Sequence, residues 1–532
     1  MANQVIDKKN RPELVDIVLP DEGSYWNGIN HFDSSSRWSI GDTDWDLLTN
    51  WLPMGPSLRQ VPGNSPTLAS LAAALVWMEM LPLNGTVYIY CLCINGHLYQ
   101  VRLSDGAITD CSTTTSLSPT SDISDWQGTN ILVTDPVAQN VYNWNGTTFA
   151  TAISSIKWHF IEVFSNRLWG ANATTNTLTW TASGTFNSLA GDAGAVTITD
   201  ASVLEPINAL KSFQGSLYIW GPDYIQTVSN LQDTGSPAVL VFQLTVLQAT
   251  IGTNSKWSII PVGSSLYFAN NYGFWVLNGA IPQLISGEVS GLVTTAGAPD
   301  PNVVSSFSAA YAQAFSQPIV LWHYKDSNAV EGIICRTVLP ESEEQQLATL
   351  GAGADWFVVQ LGSPVFVTSY VSGGNPIIIG CDSNGNLFQM LQNPNAIITS
   401  KMQTKIFDDA HFLQENVLLY FGFSMVCTGA TTNTVQLVDQ SNQVRATLSQ
   451  QNAPADFLWT NGPTKFNWTS GGLPFHWSNF PVWSAFQWPL NAITRGVGFN
   501  ITTLGASNVF QKLARQLKRT PSTWGSNQNL TQ

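Results

Sequence analysis

Between residues 263 and 279 the chain reads GSSLYFANNYGFWVLNG. An apolar run from Leu266 to Phe268 meets a turn-forming Asn-Asn-Tyr-Gly, and a second run from Phe274 to Val276 answers it. Two short β-branched and aromatic runs around a turn rich in Asn and Gly predict a β-hairpin. The unit recurs as NGHLYQV at 95–101, SNRLWGA at 165–171, QGSLYIW at 214–220 and NGNLFQM at 384–390, each with a small or polar turn, then Leu, then an aromatic.

Leu168, Leu217 and Leu266 follow one another at equal intervals of 49 residues. A fixed period of roughly 40–50 residues with one hairpin per copy is the pattern of propeller blades, whose apolar faces are buried by stacking on their neighbours. The 289 residues from Leu98 to Leu387 hold about six such periods, although VAQNVYNW at 137–144 breaks the spacing. The predicted fold is all-β: a β-propeller of about six blades over 59–400, preceded by an arm at 1–58 and followed at 401–532 by a β-sandwich-like platform domain.

The arm is rich in Trp and Asp, shows few clean strands, and is expected to pack on the platform or on a neighbouring subunit. In the platform, ENVLLYFGFSMVC at 415–427 and NTVQLVDQ at 433–440 alternate as strands of an antiparallel sandwich do. The segment PESEEQQLATLGAGADW at 340–356 turns from acidic to small and flexible, which reads as an exposed loop.

Composition narrows the function. Charged residues make up 11% of the 532, against about 25% in ordinary soluble proteins. Neutral polar residues must therefore cover much of the surface, and with 21 Trp the chain has wide areas suited to partners. The net charge of −14 argues against a grip on nucleic acid by clustered cations, yet suits a wall past which a polyanion slides. The first twenty residues carry charges throughout and lack an apolar core, so no signal peptide is expected and folding in a cytoplasm is. The apolar stretch LASLAAALVWMEML at 68–81 contains Glu79 and is too short to span a bilayer.

Candidate chemistry is sparse. Cys91, Cys93 and His97 could open a metal site, but alternation in TVYIYCLCI places Val87, Ile89, Cys91 and Cys93 on one apolar face of a buried strand. Asp42, Asp44 and Asp46 resemble a calcium loop, without the Gly at its sixth position or the closing Glu. The six His at 31, 97, 159, 323, 411 and 476 sit in unrelated contexts, and no nucleophile elbow, zinc-protease helix, phosphate loop or sialidase Asp-box is present. No enzyme activity and no cofactor are expected. Trp459, Trp468, Trp477, Trp483 and Trp488, interleaved with Phe between 457 and 490, suit a subunit interface or a sugar-binding surface. Lys512, Arg515, Lys518 and Arg519 form the one cationic concentration, readable as a docking site for an acidic partner or DNA, or as the guarded edge of a sheet.

Taken together, Arg59, Pro62 and Gly63 as R-x-x-P-G, the N-G-x-L-Y unit at 95–99, GSLYIWGPDYIQTVSN at 215–230 and SSLYFANNYGFWVLNGAIPQLIS at 264–286, with ITRGVGFNITT at 493–503, resemble the tail nozzle proteins of short-tailed bacteriophages, also called DNA-stabilisation or tail-hub proteins. The resemblance covers about residues 59–503. It implies a virion tail protein, made in the host cytoplasm, whose six copies form a ring below the portal and adaptor rings. That ring would contact tail fibre or spike proteins, extend the DNA channel and close it after packaging. No catalytic residue comes with the resemblance. On this reading 340–355 is the expected gate and the Trp-rich segment the expected subunit contact. The alternative left open is a carbohydrate-binding or carbohydrate-cleaving propeller that recognises a host surface.

Overall fold

The computed structural model describes the chain from Glu13 to Arg519, apart from 21–25, 31–40, 201–204, 290–306, 326–330, 339–354, 408–415, short stretches between 453 and 496, and a few gaps of one or two residues. Among the described residues the secondary structure is all β, with single 3-10 turns at Lys256–Ser258 and Gly287–Val289. The chain divides into two units. One holds residues 64–353 and 360–392; the other collects 1–63, 354–359 and 393–532.

The first unit is the predicted β-propeller. Among the described residues it contains seven antiparallel sheets, spanning 75–110, 122–154, 160–197, 209–248, 260–284, 308–337 and 364–389. The difference from about six lies in the counting: Leu98 and Leu387 belong to the first and the last sheet, and six intervals separate seven blades. Leu168, Leu217 and Leu266 all lie on the second strand of their blades and are fully buried. Leu98 and Leu387 lie on third strands, which is why their spacing drifts.

The turn chemistry is regular. In six of the seven blades the first hairpin turns through two successive residues of positive φ: Asn84–Gly85, Gln127–Gly128, Ser165–Asn166, Gln214–Gly215, Phe315–Ser316 and Gly373–Gly374. Such turns match the twist of the paired strands, so a tight connection tolerates even Phe315 at φ 51°. The ring is closed by chain ends. Thr67–Ser70 forms the fourth strand of the last blade, pairing Ser70 with Asn386 and Ala69 with Leu387. Leu387, Ala69 and Ile379 of that blade share one core cluster with Trp77 and Ile89 of the first and Ile131 of the second.

Among the described residues the outer strands run from three residues at Ile108–Asp110 to seven at Glu331–Thr337, with one exception. Val239–Gln248 in the fourth blade runs for ten residues without a charge or a proline, and leaves Val239, Val241 and Leu244 exposed.

The second unit is a two-sheet sandwich built from both ends of the chain. One sheet runs Trp51–Met54, Ser57–Gln60, Val509–Arg519, Asn416–Val426, Val482–Gln487. Within the unit, the other runs Trp356–Val359, Trp45–Thr49, Ile398–Thr404, Val497–Gly505, Thr431–Asp439, Val444–Asn452. Aromatics from the two sheets meet between them: Phe421 stacks on Phe499 at 3.9 Å, and Trp45 meets Phe510 edge-on at 6.0 Å. Gln60 adds a buried polar tie, donating to Ser400 Oγ at 2.9 Å and accepting from Asn508 Nδ2 at 3.0 Å.

Two expectations change here. The arm at 1–58 is not an irregular lead-in: it supplies Glu13–Leu19, Trp45–Thr49, Trp51–Met54 and half of Ser57–Gln60 as sheet strands. Glu13–Leu19, Trp45–Thr49 and Ser57–Gln60 take partners hundreds of residues away, so local pattern concealed them, while Trp51–Met54 pairs with Ser57–Gln60 in a local hairpin. The basic strand Val509–Arg519 is not a guarded edge; it is interior, flanked by Asn416–Val426 on one side and by Glu13–Leu19 and Ser57–Gln60 on the other.

Candidate functional site

The innermost strands of neighbouring blades splay apart around the propeller axis, where backbone N–H groups lose their ladder partners. Side chains from the next blade take them instead. Asp122 Oδ2 in the second blade accepts from Ile161 N of the third at 2.8 Å, and Ser124 Oγ accepts from Val163 N at 3.2 Å. Glu162 Oε1 in the third accepts from Ser212 N of the fourth at 2.9 Å and from Ser212 Oγ at 2.7 Å. Ser308 Oγ and Ser369 Oγ exchange the same service between the sixth and seventh, taking Val367 N at 2.9 Å and Tyr311 N at 2.8 Å. Each bond removes a buried donor that would otherwise cost about 1–3 kcal/mol.

One spoke crosses the axis. Lys256, in the 3-10 turn before the fifth blade, reaches Asp122 Oδ1 at 2.5 Å and the carbonyls of Ile123 and Ile161 at 3.1 and 3.4 Å. All three ammonium donors therefore have acceptors in the second and third blades. Its neighbour Trp257 stacks on Trp77 with ring centroids 5.3 Å apart, and Trp77 Nε1 donates to Ser121 O at 2.8 Å. Beside this plug lies an axial cavity of about 260 Å³, lined among others by Glu79, Lys211, Lys256, Trp257 and Phe366.

Glu79, Asp122, Glu162, Lys211 and Lys256 thus form a charged centre. Burial pushes the Glu79 carboxyl up from its ordinary range, with Lys211 and Lys256 opposing. Burial also raises Asp122, and Lys256 holds part of that rise back. For Lys211, burial alone would lower the ammonium, but Glu162, Glu79 and Asp122 together leave it raised. Glu79 Oε1 sits 4.0 Å from Lys211 Nζ, and Glu79 Oε2 is buried with no hydrogen-bond partner among the described residues.

The residues singled out by sequence are placed elsewhere. Cys91 and Cys93 are buried in the first blade, where the alternating neighbours Tyr90 and Leu92 are buried as well, so the strand is covered on both faces. Burial holds the Cys91 thiol well above its ordinary value and pushes Cys93 up to about 11. His97 instead faces Asp110, Nδ1 to Oδ2 at 2.7 Å, and stacks on Tyr99. Asp44 accepts from Asn27 Nδ2 at 2.6 Å and Asn30 Nδ2 at 2.8 Å, while Asp42 pairs with Lys405 at 2.7 Å. Among the described residues no group of three or more His, Cys, Asp or Glu is placed to hold a metal.

Trp468, Trp477 and Trp488, and the expected gate 340–355 apart from Asp355, lie outside the described residues. Trp459 and Trp483 fall in strands Trp459–Asn461 and Val482–Gln487, the latter paired at Ser424. Of the four basic residues of the last strand, Lys512 is exposed. The axial charges went unnoticed, although the signal was present. In a chain with few charges, 79, 122, 162, 211 and 256 follow at intervals of 43, 40, 49 and 45 residues, Glu79 and Glu162 within the otherwise apolar runs LVWMEML and FIEVF.

No family model matches this sequence, and no curated protein does. Among solved structures, the WD40 repeats of RRP9 align at 9% identity and a TM-score of 0.40, over 62% of this chain and 99% of that one. Streptogramin B lyase aligns at 11% and 0.38, over 60% and 95%. A nidogen/laminin complex aligns at 13% and 0.29, over 42% and 86%. Likenesses at this level carry nothing about activity, and the propeller assignment rests on the sheets and their closure described above.

Proposed function

We propose that this chain is a non-enzymatic structural subunit of a short phage tail: a nozzle-ring protein whose copies, six on the resemblance drawn above, extend the DNA channel below portal and adaptor and retain packaged DNA. The observation that carries its structural half is the use made of the axis. Asp122, Glu162, Ser124, Ser308 and Ser369 are engaged by backbone N–H groups of adjacent blades, and Lys256 is consumed as a spoke. A propeller stapled at its centre suits a part that carries load. The net charge of −14 supports passage of DNA without adhesion.

Subunit contacts on this reading involve another copy of the same chain at the strand Val239–Gln248. Sheet edges are ordinarily shortened, charged or covered, and the other outer strands of this propeller are short. Among the described outer strands, this edge alone offers ten uncharged residues with exposed apolar side chains.

The test is the DNase-protected DNA content of particles assembled with and without this chain, alongside electron microscopy of their tails. Particles that package DNA, leak it and lack the distal ring support the nozzle. Full heads with intact tails that fail only to attach to cells would refute it in favour of a carbohydrate-recognising propeller.

A further inference from the structure

The platform carries a long edge that its own sheet leaves open. Val444–Asn452 is the last strand beyond Val497–Gly505 and Thr431–Asp439, and among the described residues no strand pairs with its outer side. It holds no proline and one charge, Arg445, whose Nε donates to Asp439 Oδ2 at 2.6 Å within the same hairpin. Val444 is 51% exposed, and Thr447, Ser449 and Gln451 are exposed as well. Such an edge is a template for another strand, because its free N–H and C=O groups need partners.

The strand Val239–Gln248 matches it face by face. On one side of Val239–Gln248, Leu240 and Phe242 enter the core between the third and fourth blades, where Phe242 meets Trp169 at 5.8 Å and Trp180 at 5.3 Å. Leu244 follows on that side, while Val241 and Gln243 point the other way and are exposed. In Val444–Asn452, Ala446 and Leu448 lie opposite the buried Leu437 and Val435 and so belong to the inner face. Thr447 and Ser449 belong to the outer one, where Ser449 Oγ sits 2.9 Å from Thr434 Oγ1. Antiparallel pairing with Phe242 opposite Leu448 sets Leu244 against Ala446, and Val241 and Gln243 against Ser449 and Thr447. A slip of one residue would oppose apolar to polar along the whole contact, so the alternation specifies the register. Arg445 then falls opposite the uncharged Thr245, and no like charges meet.

Symmetry separates this pairing from self-pairing. Two copies of Val239–Gln248 joined to each other make a twofold contact, which consumes both edges and stops at a dimer. A ring needs two different surfaces on every copy. We propose that Val239–Gln248 of one copy adds as an antiparallel strand to Val444–Asn452 of the next. The inference rests on the ring reading above and names the surface that receives the propeller edge.

All six native cysteines are buried, so introduced surface thiols are the accessible ones. The experiment places Gln243→Cys and Thr447→Cys in the full-length chain, singly and together, and treats each protein with a bismaleimide spanning about 5–8 Å, the reach of direct and diagonal cross-strand pairs. Denaturing gels are read beside the sedimentation of untreated protein. Val241→Cys with Ser449→Cys is the second pair, used if the first fails to fold. The expected result is a covalent ladder climbing past dimer in the double variant, lost in both single variants. Dimers from Gln243→Cys or Val241→Cys alone would reveal self-pairing and overturn the proposal. A double variant without a ladder overturns it too, and sedimentation shows what falls with it. Untreated protein that still runs as a large closed assembly leaves the ring with another acceptor surface, whereas untreated protein that runs as a monomer removes the ring contact as well.

Discussion

Removing the spoke is the sharpest test of how the propeller is held. In Lys256→Met the methionine fills much of the lysine's volume while deleting the ammonium. Asp122 then keeps Ile161 N at 2.8 Å and loses the partner that held its other oxygen at 2.5 Å. Both side chains are nearly sealed from water, at 5% and 3% exposure, so solvent cannot replace the lost charge. Removing one partner of such a pair costs about 3–5 kcal/mol, because the survivor is left buried and uncompensated. Two further carbonyl bonds, to Ile123 and Ile161, also go, which places the expectation at the upper half of that range. Asp122→Asn in the Lys256→Met background keeps an acceptor for Ile161 N and removes the stranded charge. The double variant should therefore recover about 2 kcal/mol relative to the sum of the single ones. Urea unfolding followed by tryptophan fluorescence reads this, since Trp257 and Trp77 stack beside the pair. Burial already raises Asp122 and Lys256 restrains that rise, so without Lys256 the carboxyl takes a proton more readily and the penalty shrinks as pH falls. A single-variant cost below about 1 kcal/mol, or strictly additive losses in the double variant, would refute the spoke.

Four further outcomes are expected. Leu387→Ala, at a fully buried position of the closing blade, should cost about 2–5 kcal/mol by chemical unfolding and speed proteolysis at the Thr67–Ser70 strand; an unchanged transition would count against closure by that strand. Arg167, 2% exposed and bridging Asp192 at 2.5 Å and Asp233 at 2.7 Å, ties the third blade to the long hairpin of the fourth, so Arg167→Met should lose about 1–3 kcal/mol, moderated because Asp233 is half-exposed, and quicken cleavage near 235. Val241→Lys should lower self-association in sedimentation while moving stability by less than about 0.5 kcal/mol, and unaltered assembly would remove Val239–Gln248 from the interface. Glu79 has its carboxyl raised by burial above its ordinary value of 4.5, so the folded state binds that proton more tightly and wild-type stability declines as pH climbs beyond 4.5. Glu79→Gln lacks this slope and should gain on wild type between pH 4.5 and neutrality; a constant difference would contradict the burial argument.

The blade repeat was legible because each hairpin declares itself locally: turn, leucine, aromatic. Leu168, Leu217 and Leu266 mark equivalent strands, and their constant interval gave the architecture before any coordinate. In the sixth blade the leucine–aromatic pair is Leu321–Trp322, five residues beyond the turn residue Ser316 instead of one or two, so the repeat was seen through its neighbours. The axial charges were legible in principle as polar intrusions in apolar strands, but their pairing was not. Lys256 lies in NSKWS, which reads as a loop, and its partner Asp122 is 134 residues away. The platform was the least legible part. Glu13 pairs with Arg519, and no local periodicity signals a bond across that separation.

The sandwich drawn from both chain ends also sets a timetable. Gly63 and Asn393 exchange backbone bonds of 2.8 and 2.9 Å, yet a ribosome adding about 5–20 residues per second needs some tens of seconds to pass from one to the other. During that interval Trp45, Leu48, Trp51 and Leu52, all at 1% exposure or less once folded, have no sheet to enter. The propeller, by contrast, can close as soon as Asn386–Gln389 emerges to receive Thr67–Ser70. Its synthesis therefore orders the two units: the ring forms first, while an apolar leading segment waits uncovered and calls on chaperones until the last strands arrive.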